Sequence, residues 1–266
     1  MIELISHITN GLNYSDPKEP LIRLKRPIDQ QEYLEFPSAS KSTVESAIES
    51  SSNFYKLWSR SPLIHRSEVL LKAAHKARQN IQIISEKHAE ETGKSISSSQ
   101  AEISAALDQF EKYSNLATEF FTPKENATGS TRFRPYGPTV LIVPWNYPIA
   151  IAFRTLPALL ISGNTVIWKP SEKTPNSAFW MLKYLELPAG LVNLVLGSGE
   201  AGAGLVSDPR TKLVVHTGST KSGRLIAAKC GELLKPCILE LGGELNEVSL
   251  STSAVLRCPK VVTPKQ

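Results

Sequence analysis

The chain has 266 residues, 41% hydrophobic and 21% charged, and 30 Lys and Arg against 25 Asp and Glu leave a net charge of +5. That balance excludes intrinsic disorder as the main state, and basic residues spread without a run of five or six speak against a nucleic-acid binder. Three cysteines, Cys230, Cys237 and Cys258, lack a Cys-x-x-Cys spacing, which speaks against a disulfide framework or a zinc site and suggests a reducing, cytoplasmic setting.

In chain order, the first residues lack a basic segment followed by a long apolar one, so no signal peptide is expected. Residues 1–40 read as an irregular segment punctuated by Pro17, Pro20, Pro27 and Pro37. Residues 41–121 read as helical. Ser42 or Thr43 can cap a first helix running to Trp58, and a second starts after Pro62 and breaks near Asn80. The pattern then resumes to a stop at Gly93, and a third helix covers about Ser99 to Phe121. Residues 122–138 are polar and suit extended strands outside the core. The longest apolar stretch, Ile149 to Ile161, is interrupted by Arg154, Thr155 and Pro157 and is too short to span a bilayer.

From Thr139 the period changes. Apolar runs at Thr139–Val143, Thr165–Trp168, Val192–Leu196, Leu213–His216 and Pro236–Glu240 alternate with helical stretches. This predicts an α/β fold, a doubly wound, five-stranded parallel sheet over residues 139–243. Ligands then belong at the carboxyl ends of the strands.

Each strand end carries a candidate. Asn146, in Pro144-Trp145-Asn146-Tyr147-Pro148, is either an amide donor for an oxyanion or part of a rigid turn. Lys169 and Glu172 are either a pair for ribose hydroxyls or a solvated loop. Gly197-Ser198-Gly199-Glu200-Ala201-Gly202 matches G-x-G-x-x-G, but no acidic residue ends the next strand, so the match reads as a decoy. Gly218-Ser219-Thr220-Lys221-Ser222-Gly223 opens a helix able to meet a phosphate. Glu240-Leu241-Gly242-Gly243 is either a general base on a mobile loop or a Gly-rich turn.

Together these motifs, with Pro188-Ala189-Gly190-Leu191-Val192-Asn193 and, upstream, Trp58, Arg66 and Glu91-Thr92-Gly93-Lys94, resemble the NAD(P)-dependent aldehyde dehydrogenase superfamily over residues 40–243. The resemblance implies oxidation of an aldehyde to a carboxylic acid. It places Asn146 in the oxyanion hole and Glu240 as general base. It implies cofactor contacts from Ile142, Val143, Pro144, Trp145, Asn146, Lys169, Ser171 and Glu172, and further from Gly199, Gly218, Ser219, Gly223, Leu241 and Gly242. Glu172 favours NAD over NADP. Arg154, eight residues after Asn146, resembles the substrate-carboxylate partner of succinate-semialdehyde dehydrogenases. Partners would be a small aldehyde, with no nucleic acid and no membrane. A homo-oligomer or pairing with a full-length relative stays open.

Two departures stand out. His216 occupies a position where the family usually has Phe beside the nicotinamide. From Glu244 the family pattern is lost, and residues 244–266 read as an irregular tail. The family's nucleophilic Cys should follow Glu240 by roughly thirty residues, whereas the chain stops 26 residues after it. Cys258 is too early, and Cys230 and Cys237 read as core residues. The expectation is therefore a truncated member without its catalytic domain: active through its family chemistry, an inactive nucleotide- or partner-binding remnant, or a misread gene.

Overall fold

The computed structural model describes residues 2–122, 124–126, 129–131 and 133–242. The tail from Gly243, with Glu244 and Cys258, lies outside them.

The first forty residues are not irregular. They form five short strands, β1 (Glu3–Leu4), β2 (His7–Thr9), β3 (Leu12–Tyr14), β4 (Leu21–Lys25) and β5 (Glu32–Pro37). β2 and β3 turn through Asn10 and Gly11, both at positive φ, the Asn-Gly signature of a two-residue hairpin. β4 alternates exposed and half-buried residues and pairs antiparallel with β5, which takes β1 as a parallel neighbour. Pro17 and Pro27 lie in turns between these strands, Pro20 precedes β4 and Pro37 is the last residue of β5.

Four helices follow: α1 (Lys41–Trp58), α2 (Leu63–Gln79), α3 (Ile81–Thr92) and α4 (Ile96–Phe121). The cap of α1 is Ser40 rather than Ser42 or Thr43. Its backbone is extended and its hydroxyl accepts from Thr43 N, while the other two already lie within the helix. Gly93, at φ 73°, ends α3. A hairpin of β6 (Lys124–Asn126) and β7 (Gly129–Thr131) leads into the sheet.

The remaining elements are β8 (Pro138–Ile142), α5 (Pro148–Ile161), β9 (Thr165–Lys169), α6 (Pro175–Leu185), β10 (Val192–Leu194), α7 (Gly199–Ser207), β11 (Leu213–Gly218), α8 (Thr220–Glu232) and β12 (Cys237–Leu241). The sheet has seven strands, not five, in the order β12-β11-β8-β9-β10-β2-β3. The five expected strands are parallel, and the N-terminal hairpin adds two more through an antiparallel pairing of β2 with β10. Successive residues face opposite layers. Val140, Ile167 and Val214 pack with Val44 and Ile48 of α1 and Leu205 of α7. Leu141, Val166 and Trp168 pack with Leu70, Phe110 and Phe153 from α2, α4 and α5. The chain leaves β8 toward β9 on one side and returns to place β11 on the other, so the strand order reverses between β8 and β11.

Buried carboxylates fasten the helices to this frame. Glu19 accepts from His7 Nε2 at 3.0 Å, from Ser40 N at 2.7 Å and from the Thr43 hydroxyl at the start of α1. His7 Nδ1 accepts from Leu196 N at 2.9 Å, which fixes the tautomer, and burial lowers the pKa of this ring so that it stays neutral. Glu91 of α3 accepts from Asn176 N at 2.7 Å, Ser177 N at 2.9 Å and the Ser177 hydroxyl in the first turn of α6. Glu91→Ala leaves those buried donors unpaired and is expected to cost about 2–4 kcal/mol of unfolding free energy in urea titrations, and a loss below about 0.5 kcal/mol would contradict this role.

Candidate functional site

Two clefts open where the strand order reverses, sharing a wall of Pro144, Trp145, Thr217, Gly218 and Ser219. The first has a volume of about 640 Å³. Of the expected cofactor residues, Ile142, Pro144, Trp145, Lys169, Ser171, Glu172, Gly199, Gly218 and Ser219 line it, as does Val143. His216 and Ser222 line it too.

Lys169 ends β9 and is 4% exposed, its ammonium donating to the Pro170 carbonyl at 3.0 Å. Burial lowers its pKa, and the Glu172 carboxylate works against that shift. The G-x-G-x-x-G match finds uses other than the one its pattern suggests. Gly197 sits at φ 131° against the backbone of Ser38 and Ala39, and Gly199 has open space where a side chain would be. A Cβ on Gly202 would come within 3.2 Å of Lys169 Cδ, so its absence makes room for the lysine stem. Sequence reasoning missed Gly202, whose signal was only its place one helical turn after Gly199.

Ser219 caps α8, its hydroxyl accepting from Ser222 N at 3.1 Å. A Cβ on Gly218 would strike the His216 ring at 2.5 Å, so any larger residue there has to push the ring aside. His216 itself is 4% exposed, with Nε2 2.9 Å from the Ser222 hydroxyl. Gly223 departs from expectation. It lines neither cleft, because the Leu241 side chain covers it where a Cβ would stand.

The second cleft, about 920 Å³, brings together Asn146, Arg154, Glu240, Leu241 and Gly242. Asn146, Leu241 and Gly242, expected at the cofactor, therefore face this neighbouring space. Asn146 Oδ1 accepts from Tyr147 N at 3.0 Å, and among the described residues its Nδ2 has no acceptor. Glu240 is exposed on β12, in register with Thr217. Arg154 is exposed on α5. Neither described cysteine reaches either cleft. Cys230 is buried and burial pushes its thiol up to about 11, while Cys237 packs partly buried beside the same core. Among the described residues no group of three His, Cys, Asp or Glu side chains could hold a metal, and no helix is long and apolar enough to cross a membrane.

The Glu91-Thr92-Gly93-Lys94 motif has a second task beside the Asn146 loop. Lys94 Nζ lies 3.8 Å from the Tyr147 ring centroid and 2.6 Å from Glu102. Glu102 also accepts from Ala150 N at 3.0 Å and lies 3.4 Å from His88 Nε2. The loop is thus held at Tyr147 and at the first turn of α5. Burial alone would raise the Glu102 pKa, but His88, Lys94 and the Ala150 amide outweigh it and hold the carboxyl at about 2.

The Aldehyde dehydrogenase family model matches residues 14–251. It starts inside the segment read as irregular and runs beyond Gly243, where the sequence suggested a tail of different character. The chain is 34% identical over 218 residues to a D-glyceraldehyde dehydrogenase (NADP(+)) of Picrophilus torridus, covering 79% of this chain and 44% of that one. It superposes on an NAD+ complex of an aldehyde dehydrogenase from Bacillus cereus with a TM-score of 0.86 at 26% identity, covering 91% of this chain and 51% of that one. It also superposes on an NADP-dependent glyceraldehyde-3-phosphate dehydrogenase from Bacillus halodurans complexed with NADP, with a TM-score of 0.84 at 26% identity, covering 91% of this chain and 53% of that one. The chain therefore spans about half the length of the relatives it matches.

The Glu102 pKa lies below its ordinary value of 4.5, so its contribution to stability is present above that value and is lost as pH falls toward about 2. In urea titrations across this range, the gap between wild type and Glu102→Gln is expected to be about 3 kcal/mol near neutral pH and to close in acid. A gap that stays constant with pH would contradict the ion pair.

Proposed function

The chain belongs to the aldehyde dehydrogenase family, and from that premise we propose that its first cleft binds NAD in preference to NADP, in the service of oxidising an aldehyde to a carboxylic acid. The observation that carries this reading is one cleft at the strand-order reversal, with the Lys169–Glu172 turn and the start of α8 in its lining. The residues fit a dinucleotide. A nearly buried ammonium and an acidic neighbour suit ribose hydroxyls, and the first-turn amides of α8 behind Gly218 suit a diphosphate. The bound nicotinamide would supply the hydride acceptor.

The chain's own groups take the remaining roles. In the second cleft Asn146 Nδ2 is a donor for an aldehyde oxygen on which negative charge develops. The Glu240 carboxylate is the base for a water or a thiol. Arg154 gives the same space a cation, which supports an aldehyde carrying its own carboxylate. Relatives with NAD and with NADP are both at hand. Glu172 supports NAD, because a carboxylate accepts from both ribose hydroxyls and repels a 2′-phosphate.

A second reading is favoured by the cysteines. Cys230 is buried and Cys237 lies away from both clefts, so the described residues offer no thiolate to attack an aldehyde. The chain by itself would then bind the cofactor without turnover. NADH formation with an aldehyde panel, above a Glu240→Gln control, would overturn this second reading.

Calorimetry tests the first. NAD is expected to bind, NADP to bind more weakly by roughly tenfold or more, and Glu172→Gln to narrow that gap. Lys169→Met is expected to weaken NAD. A folded chain that takes up neither nucleotide would remove the proposal.

A further inference from the structure

We propose that His216 and Ser222 form a proton-controlled hydrogen-bond relay at the start of α8, so that the cleft grips a dinucleotide's diphosphate more tightly when His216 carries a proton. This rests on the first cleft being a nucleotide site. Ser222 has one hydroxyl hydrogen and three neighbours that can take it: His216 Nε2, the Ser219 carbonyl and the Ser219 hydroxyl, each at 2.9 Å. Ser219, Ser222 and His216 all line the cleft. His216 Nδ1 is buried and turned toward the Ile142 carbonyl, too loosely for a formed hydrogen bond. That side suits the ring proton of the neutral form, which leaves Nε2 as an acceptor. In this state Ser222 spends its hydrogen on His216 and offers the cleft only lone pairs, which repel a phosphate oxygen.

Protonation reverses the polarity. Nε2–H then donates to the Ser222 oxygen, and the Ser222 hydrogen is freed for the Ser219 oxygens or for a phosphate oxygen in the cleft. A diphosphate oxygen gains a donor with a positive charge behind it, beside the α8 amides. No bond is broken except that to the proton, which comes from solvent. The ionisable groups on the surrounding elements are Lys169 at the end of β9, Glu172 and Lys173 in the next turn, Glu200 of α7, Lys221, Arg224, Lys229, Cys230 and Glu232 of α8, and Cys237 and Glu240 of β12. β8 brings none. Burial, with a smaller push from Lys169, holds His216 below its ordinary pKa in the free chain. A bound diphosphate acts in the opposite sense, so binding and proton uptake strengthen one another.

Calorimetry with NAD on the full chain, from about pH 8 to about pH 5.5 in two buffers of different ionisation heat, is the test. Wild type is expected to gain about five- to tenfold in affinity toward the acid end, with proton uptake on binding. His216→Phe is expected to bind NAD with a flat pH profile and no uptake. Ser222→Ala is expected to keep the uptake and lose part of the gain. NAD binding with no slope in wild type, or a slope that survives in His216→Phe, overturns the relay and leaves the nucleotide site standing. No NAD binding at any pH overturns both. Should His216→Phe fail to fold, the imidazole resonance of His216 in wild type decides. Its titration midpoint must move up when NAD is added, and an unmoved midpoint overturns the relay.

Discussion

The structure depends on acidic side chains buried at helix N-termini. A helix start exposes amide hydrogens that no residue of the same helix can satisfy, and inside a protein they must be met. Glu19 meets them for α1, Glu102 for α5 and Glu91 for α6. Each comes from an element other than the helix it serves, so each also sets where that helix lies. Glu19 holds the N-terminal strands to α1 and, through His7, to the residues just after β10. Glu91 fixes α6 directly after the Lys169–Glu172 turn. Glu102 fixes α5 directly after the Asn146 loop. The first turn of α8 has no such partner among the described residues, only its own Ser219, and it opens on the cleft. Occupied helix ends help build the frame, and this open one faces the place where an anion would sit.

The parallel core was legible because its signals are local. Continuous apolar runs separated by helical stretches leave little choice of architecture, and the strand ends then name Lys169, Gly218 and Glu240 without any coordinates. The N-terminal strands were hidden by the prolines around them, although Asn10-Gly11 between His7-Ile8-Thr9 and Leu12-Asn13-Tyr14 is as direct a hairpin signal as a sequence offers. The helix fastenings were not legible. Glu91 meets α6 across 85 residues and Glu102 meets α5 across 48, distances at which no periodicity operates.

The glycines show the same division. Gly218 lines the cleft, where a glycine just before a helix start has a local reason to be. Gly223 does not, because Leu241, a residue on another strand, covers it. His216 was visible only as a departure. Its partner Ser222 is six residues on, and the pairing exists because β11 turns directly into α8.

The hairpin of β2 and β3 joins the sheet beside β10, and Asn10 N reaches Asn193 Oδ1 across 183 residues. On a ribosome the hairpin is made before its sheet neighbour, which emerges on the order of ten seconds or more later at ordinary elongation rates. During that interval Ile5 and Ile8, which end up in the core, have no sheet to cover them. The edge of the sheet opposite β12 is thus closed by a segment made well before the strand it pairs with.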